Sequence, residues 1–140
     1  MRRTTTKKVL LVSSDKPLRG QLRAWLVHEG MAGNSVLTVA NGQECQTIVS
    51  QLRPRVTVID DAIPDTDGPT LLRTLRRQVP DALVIYLATL HTAELEREIR
   101  QLGVLYYTEK PPDEDTLRKV LGTVLHPPLT QQQPALSVSR

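Results

Sequence analysis

The sequence has little cysteine and no long apolar run. Cys45 is the single cysteine among 140 residues, so the chain cannot form an internal disulfide. No apolar run approaches the roughly 20 residues that a membrane helix needs, and the basic start, residues 1–8, lacks the apolar stretch of a secretory signal. These absences predict a cytoplasmic protein without a membrane segment. A length of 140 residues fits one domain with a sizeable core.

Neither sign of charge is in large excess. The net charge is only +3, and much of the excess lies in the first eight residues. The nearest approach to a basic patch within the predicted domain is the cluster Arg73, Arg76 and Arg77. A solvated helix face explains this cluster more simply than a nucleic-acid surface does.

Motifs that would indicate an enzyme or a nucleotide-binding protein are missing. No glycine-rich phosphate loop follows the first predicted strand, and no Ser/His/Asp arrangement is visible. His28, His91 and His126 are isolated and do not form a metal-ligand pattern. Flavin binding would need hydroxyl-rich and glycine-rich loops, for which Ser13-Ser14 is a thin basis. We therefore predict that the chain is not an enzyme.

The most informative stretch is the apolar run that ends at Asp60. Val56, Val58 and Ile59 are β-branched and closely spaced, which is typical of a strand buried on both faces. Pro64 and the Asp67-Gly68 pair then break the chain into a loop. Because chemistry in open α/β sheets collects at the carboxyl ends of strands, we expect Asp60 at such an edge.

The remaining periodicity predicts alternating strands and helices. Further strands are predicted at residues 8–13, 35–40, 82–88 and 104–107, and helical spacing follows each strand. The helix predicted at residues 91–102 has a thin apolar stripe, which favours mobility. Five strands and five helices in alternation predict a doubly wound parallel α/β sheet, with the flavodoxin-like strand order 2-1-3-4-5.

This strand order brings distant residues to one edge of the sheet. The ends of the first and third strands become neighbours, which places Ser13 and Ser14 beside Asp60. The fifth strand brings Lys110 to the same edge. We expect a flexible basic arm over residues 1–7, the folded domain over residues 8–126, and a disordered tail or interdomain linker over residues 127–140, where the sequence is polar and contains proline.

Several spacings together resemble the receiver domain of two-component response regulators, a flavodoxin-like (CheY-like) family, over about residues 7–126. The family pattern has Asp, three residues, Pro, two residues and Asp-Gly, and later Lys-Pro with an aromatic residue three positions before the lysine. The matching positions in this sequence are Asp60, Pro64, Asp67, Gly68, Tyr107, Lys110 and Pro111.

The resemblance implies a role for each of these residues. Asp60 would accept a phosphoryl group, Lys110 would pair with that group, and Mg²⁺ would bind Asp60 and the backbone carbonyl of Ala62. In the family, a hydroxyl at the end of strand four then binds the phosphoryl group, and the aromatic residue, here Tyr107, follows it inward. These roles suit the chemistry, because phosphoryl transfer needs neutralisation of negative charge and Mg²⁺ needs hard oxygen ligands.

The sequence departs from the family pattern at two places. Ser13-Ser14 replaces the acidic pair that binds the metal, and Ala88 occupies the position of the switch hydroxyl. The pocket charge changes from about −2 to about 0, which weakens attraction for Mg²⁺ and lets Asp60 pair with Lys110.

Two hypotheses therefore stay open. The first is an atypical receiver with weak or absent phosphorylation of Asp60 and weak Mg²⁺ binding, which acts through protein–protein interaction. The second is a functional phosphoacceptor that a histidine kinase phosphorylates, with a hydrated Mg²⁺ held by Ser13 and Ser14.

The expected partners are a histidine kinase or another signalling protein. The expected contact surface is the face of the fourth helix, fifth strand and fifth helix around Leu105 and Tyr107, which would also serve a homodimer. Nucleic acid would be contacted only through an output domain that this sequence does not contain.

Overall fold

The structure, a computed structural model, describes residues 8–125, so the predicted arm (1–7) and tail (127–140) lie outside the described residues. Five strands and five α-helices alternate along the described chain, with one 3₁₀ turn at Gly33–Ser35. The strands are β1 (Val9–Val12), β2 (Val36–Val39), β3 (Val56–Asp60), β4 (Leu83–Ala88) and β5 (Tyr106–Glu109). The helices are α1 (Lys16–His28), α2 (Gly42–Leu52), α3 (Gly68–Gln78), α4 (Ala93–Leu102) and α5 (Glu114–Leu125).

The strands form one parallel sheet in the order β2-β1-β3-β4-β5, which confirms the predicted flavodoxin-like fold. Val12 pairs with Ile59 in the register of β1 and β3, so the residues that follow these two strands are neighbours. Asp60 pairs with Leu87 on its other side. The strand order therefore places the β1–α1 turn and the β3–α3 loop side by side at the carboxyl edge.

Two apolar cores cover the faces of the sheet. Alternate residues of each strand point to opposite faces, so Leu11 packs with α1 and α5 while Leu10 packs with α2, α3 and α4. Asp60 and Ser13 are the buried polar residues at the carboxyl edge. No helix between residues 8 and 125 is long and apolar enough to cross a membrane.

Side-chain caps fix the starts of the five α-helices at the carboxyl edge. A side-chain oxygen of each cap accepts a hydrogen bond from a backbone N–H in the first turn, which satisfies a donor that the helix cannot. The capping residues are Asp15 for α1, Asn41 for α2, Asp67 for α3, Thr92 for α4 and Asp113 for α5.

Strand β5 begins later than the sequence predicted. The apolar pair Val104-Leu105 indicated a strand at residues 104–107, whereas β5 spans Tyr106–Glu109. The Leu105 N–H donates to the Val84 carbonyl oxygen at 2.8 Å, but regular pairing with β4 starts with Ile85 and Tyr106. The strand is therefore defined by its pairing with β4, and it carries polar residues up to the end of the sheet.

Arg76 is not part of a solvated helix face. Its guanidinium donates to the carbonyl oxygens of Leu102 and Gly103 at the end of α4 and of Pro80 and Ala82 before β4. Burial lowers the pKa of this guanidinium. The expectation of a purely solvated basic cluster was wrong for Arg76, because the side chain satisfies carbonyl groups that α4 leaves without partners.

Candidate functional site

Asp60 lies at the end of β3, where its carboxylate accepts three hydrogen bonds from neighbouring residues. Its side chain is 1% exposed. The Oδ1 atom accepts hydrogen bonds from Lys110 Nζ at 2.8 Å and from the Ala62 N–H at 3.0 Å, and Oδ2 accepts from Ser13 Oγ at 2.7 Å. Both carboxylate oxygens are therefore engaged by donors of the protein.

The two serines after β1 lie where the strand order predicted them. Ser13 is buried and bonds Asp60, while exposed Ser14 donates from Oγ to the Ala62 carbonyl oxygen at 2.8 Å. Ser13 Oγ also accepts the Asp15 N–H at 3.0 Å. The residues predicted to form the pocket are thus brought together, and the carbonyl expected to bind the metal is occupied by a serine hydroxyl.

The oxygen atoms that this pocket offers to a metal ion carry little negative charge. It consists of one carboxylate, one backbone carbonyl and two hydroxyls, beside the Lys110 ammonium group. The carboxylate of Asp15, two residues after Ser13, accepts the Leu18 N–H at 3.1 Å. In the part of the chain that the structure describes, no three His, Cys, Asp or Glu residues lie together as a metal-binding group. The described pocket therefore offers a cation one carboxylate beside an ammonium group, whereas Mg²⁺ sites combine one or two carboxylates with several retained waters.

The loop after Asp60 is held at both ends. Asp65 accepts the N–H groups of Gly42 and Gln43 at 2.8 and 3.0 Å, which ties the loop to the start of α2 and lowers the pKa of Asp65. Asp67 accepts the Thr70 N–H, and this hydrogen bond lowers the pKa of Asp67. Pro64 is exposed in the same loop.

Gly68 lies against a tyrosine of β4. A Cβ at Gly68 would lie 1.8 Å from Tyr86 Oη and 2.8 Å from Asp61 Cβ. Both distances are far below van der Waals contact, so the hydroxyl of Tyr86 and a side chain at residue 68 exclude each other. The glycine is required here by close packing.

Ala88 and Tyr107 occupy the two switch positions. Ala88 is fully buried at the end of β4, and Tyr107 is 6% exposed, with its ring turned into the core. The Tyr107 ring stacks on Tyr86 with centroids 5.7 Å apart and planes 6° apart. His91 Nδ1 lies 2.8 Å from the Tyr107 hydroxyl oxygen, and the Arg100 guanidinium lies 5.8 Å from the ring centroid. Burial raises the pKa of Tyr107.

Sequence reasoning did not foresee the contacts of Asp61. In a strand, a shift of one residue reverses the facing, so the neighbour of Asp60 starts on the opposite side of the sheet. The structure turns its carboxylate to Tyr86 Oη, which donates to Oδ2 at 2.8 Å, and to the Thr89 N–H, which donates to Oδ1 at 2.9 Å. The one available signal was the tyrosine in an otherwise aliphatic strand, because a buried tyrosine hydroxyl needs a partner.

A cavity of about 610 Å³ opens beside Lys110. Asp15 and Gln21 of the α1 region, Thr89 and Pro112 line it together with Lys110. The lysine is therefore shared between the buried Asp60 and a surface that solutes can reach.

The fold and site together define a class of protein. A five-stranded parallel sheet in this order, with a buried aspartate after β3 and a lysine after β5 at the same edge, is the architecture of a receiver-type signalling domain. Residues 9–122 match the family model described as Response regulator receiver domain. The chain belongs to this family of two-component signalling modules, as its motif spacings indicated.

Curated relatives agree with this assignment. The chain is 28% identical over 119 residues to Sporulation initiation phosphotransferase F of Bacillus subtilis, and the match covers 85% of this chain and 94% of that protein. It is 30% identical over 106 residues to Protein-glutamate methylesterase/protein-glutamine glutaminase 1 of Syntrophus aciditrophicus, which covers 74% of this chain. The chain spans only 30% of the length of that methylesterase. The similarity therefore concerns the receiver portion.

A solved relative has the same fold. The chemotaxis response regulator CheY4 of Vibrio cholerae superposes with a TM-score of 0.73 at 26% identity, over 86% of this chain and 99% of that one. The receiver domain from Methanospirillum hungatei gives a TM-score of 0.75 at 22% identity, over 85% and 94% of the two chains. At 22% identity, the similarity to the Methanospirillum hungatei domain supports the fold alone.

Proposed function

We propose that this chain is an atypical receiver module, cytoplasmic and not itself an enzyme, in which Asp60 is phosphorylated weakly or not at all. Its output is protein–protein interaction. The observation that carries the proposal is the set of three hydrogen bonds that Lys110, Ser13 and the Ala62 N–H donate to the buried Asp60 carboxylate.

These contacts reduce the reactivity of Asp60 as a nucleophile. An attacking carboxylate oxygen needs a lone pair directed at the donor phosphorus, and the hydrogen bonds to both Asp60 oxygens make their lone pairs less available. Breaking the contact with Lys110 would leave a charge with 1% exposure without its partner. Such a step is costly, because removing one member of a buried ion pair leaves an uncompensated charge.

Weak Mg²⁺ binding follows from the same geometry. The pocket contains one carboxylate and one ammonium group, so its net charge is about 0. Ser14 covers the Ala62 carbonyl at 2.8 Å, and this contact would have to break before the carbonyl could bind a cation. Neutral hydroxyls compensate poorly for the water that Mg²⁺ loses.

A phosphoacceptor that a histidine kinase phosphorylates is the alternative function. The cavity of about 610 Å³ beside Lys110 supports it, since a phosphodonor in this cavity would meet the lysine that contacts Asp60. Mg²⁺ also retains several waters and uses only one or two carboxylates in many sites. Asp60 with Ser13 and Ser14 would then hold a largely hydrated ion.

Intact-protein mass spectrometry separates the two functions. The protein is incubated with a small-molecule phosphodonor and Mg²⁺, beside the variant Asp60→Ala. We expect no added phosphoryl group on either protein. Addition of one phosphoryl group to the parent but not to Asp60→Ala would refute the atypical reading and support the phosphoacceptor.

The proposed contact surface is the face of α4, β5 and α5. Leu105 is 43% exposed just before β5, and Tyr106 is half-buried beside it. Leu90, before α4, is 80% exposed. The proposed partners are a histidine kinase, another signalling protein or a second copy of this chain, and nucleic acid would be reached only through an output domain outside this sequence.

Analytical ultracentrifugation tests the homodimer. The variant Leu105→Glu should lower self-association on this face, while Val27→Glu, at an exposed valine of α1, should not. Equal association of both variants and the parent would exclude this face as the dimer surface.

A further inference from the structure

Asp61 connects two loops that are otherwise separate. Its N–H donates to the Leu87 carbonyl oxygen at 3.2 Å, and its Oδ1 accepts the Thr89 N–H at 2.9 Å. The β3–α3 loop is therefore joined to β4 just before Ala88 and to the β4–α4 loop just after it. Thr89 is exposed, so the carboxylate supplies an ordered partner at the point where the strand ends.

The second oxygen of Asp61 extends the connection to Tyr107. Tyr86 donates its hydroxyl to Asp61 Oδ2 at 2.8 Å and is fully buried. The Tyr86 ring is stacked on Tyr107, and its hydroxyl occupies the space that a Cβ at Gly68 would need. The rotamer of Tyr86 is thus fixed by its hydrogen bond and by packing, and Tyr107 lies against it.

His91 and α4 hold Tyr107 from the other side. The ring nitrogen Nδ1 of His91 contacts the Tyr107 hydroxyl at 2.8 Å, and His91 belongs to the same β4–α4 loop that Asp61 binds through Thr89. Arg100 faces the ring and is paired with Glu96 at 2.8 Å. The Tyr107 ring is therefore enclosed by Tyr86, which Asp61 contacts directly, by His91 of the loop that Asp61 contacts, and by Arg100 of α4.

We infer that Asp61 is a positioning residue that keeps the β4–α4 loop and the inward Tyr107 ring in place without a phosphoryl group on Asp60. The Asp61 carboxylate accepts the backbone N–H of Thr89, the residue that follows the buried Ala88. The inward position of Tyr107 in the face of α4, β5 and α5 therefore does not depend on phosphorylation of Asp60. This inference rests on the proposed use of the face that contains Tyr107, but it concerns the position of a ring and is measurable by itself.

Fluorine NMR of protein labelled with 3-fluorotyrosine tests the inference. The chain has three tyrosines, and the variants Tyr86→Phe, Tyr106→Phe and Tyr107→Phe assign their signals. Asp61→Ala removes both acceptors and should shift the Tyr107 signal toward that of a solvent-exposed tyrosine or broaden it by exchange. Asp61→Asn keeps an acceptor for Thr89 and can donate to the Tyr86 hydroxyl, so it should retain the parent Tyr107 signal.

Matched controls separate positioning from general destabilisation. Asp81→Asn removes an exposed carboxylate at the opposite end of β4 and should leave the Tyr107 signal unchanged. The indole signal of Trp25, in the core on the other face of the sheet, reports whether each variant is folded. If Asp61→Ala is not folded, the variant Tyr86→Phe tests the inference instead, because it removes the hydroxyl contact and retains an aromatic ring. This variant should move the Tyr107 signal.

Two results would overturn the inference. One is a Tyr107 signal in folded Asp61→Ala that equals that of the parent. The other is a parent Tyr107 signal that already shows solvent exposure and moves inward only when a phosphodonor and Mg²⁺ are added. The second result would coincide with phosphorylation in the mass measurement, whereas the first would leave the proposed function of Asp60 untouched.

Discussion

Replacing Ser13 and Ser14 together by aspartate is expected to strengthen Mg²⁺ binding beside Asp60. Ser13 Oγ lies 2.7 Å from Asp60 Oδ2, and Ser14 Oγ lies 2.8 Å from the Ala62 carbonyl oxygen. Carboxylates at these positions would surround the space in front of Asp60 with three acidic groups. Lys110 would no longer balance the charge, so the pocket would attract a divalent cation.

The expected loss of unfolding free energy in this double variant follows from the burial of the pocket. Two carboxylates about 4 Å apart repel by about 4 kcal/mol at an effective dielectric constant of about 20, and Lys110 offsets part of this repulsion. Without a metal, we expect the double variant to lose about 2 to 4 kcal/mol of unfolding free energy, which lowers the melting temperature by roughly 10 °C. Mg²⁺ at about a hundredfold above its dissociation constant should return about 2.7 kcal/mol.

Thermal unfolding with and without millimolar Mg²⁺ measures both effects. The control Ser13→Ala with Ser14→Ala removes the same hydroxyls without adding charge, and it should lose about 1 kcal/mol per hydrogen bond and show no Mg²⁺ dependence. The reasoning is refuted if the parent is stabilised by Mg²⁺ as much as the double aspartate variant. It is equally refuted if the double aspartate variant is insensitive to the ion.

Three further outcomes are expected. Gly68→Ala should cost about 3 kcal/mol in urea unfolding, since its Cβ would overlap Tyr86 Oη, and Tyr86→Phe should recover part of the loss; equal stability of Gly68→Ala and the parent would contradict the close contact. The α2 N–H groups lower the pKa of Asp65, so its stabilisation is complete above about pH 4 and is lost as the pH falls through the lowered value. Asp65→Asn should therefore destabilise more at about pH 7 than at about pH 2 in urea unfolding, and the reverse order would contradict this assignment. Burial raises the pKa of the Cys45 thiol to about 12, so iodoacetamide should label it only after unfolding, as mass spectrometry would report, and rapid labelling of the folded protein would contradict its burial.

The fold was predictable because its signals are local. Buried parallel strands are short apolar runs, and the helices between them show apolar residues at helical spacing, so element order and strand order followed from the sequence. The start of β5 was not predictable from such signals. Val104 and Leu105 are as apolar as a strand should be, but which residues pair regularly with β4 depends on how the chain leaves α4.

The pocket was predictable in part for a related reason. Strand order alone placed Ser13 beside Asp60 and Lys110 at the same edge, because the positions of strand ends follow from topology. The Asp61–Tyr86 contact joins residues 25 apart in the sequence, and the contact of Arg76 with Leu102 joins residues 26 apart. Neither pair has a spacing within one element, so only the packed structure reveals them.

The Arg76 contacts have a mechanical consequence for α4. The guanidinium fastens the last carbonyl groups of α4 to the start of β4, whereas Ile99 is the one fully buried residue that α4 contributes to the core. A helix of ten residues is about 15 Å long, so a rotation of about 10° around the Arg76 end would displace its first turn by roughly 2.5 Å. Rotation of α4 about the Arg76 end therefore produces its largest displacement at the first turn, which adjoins His91.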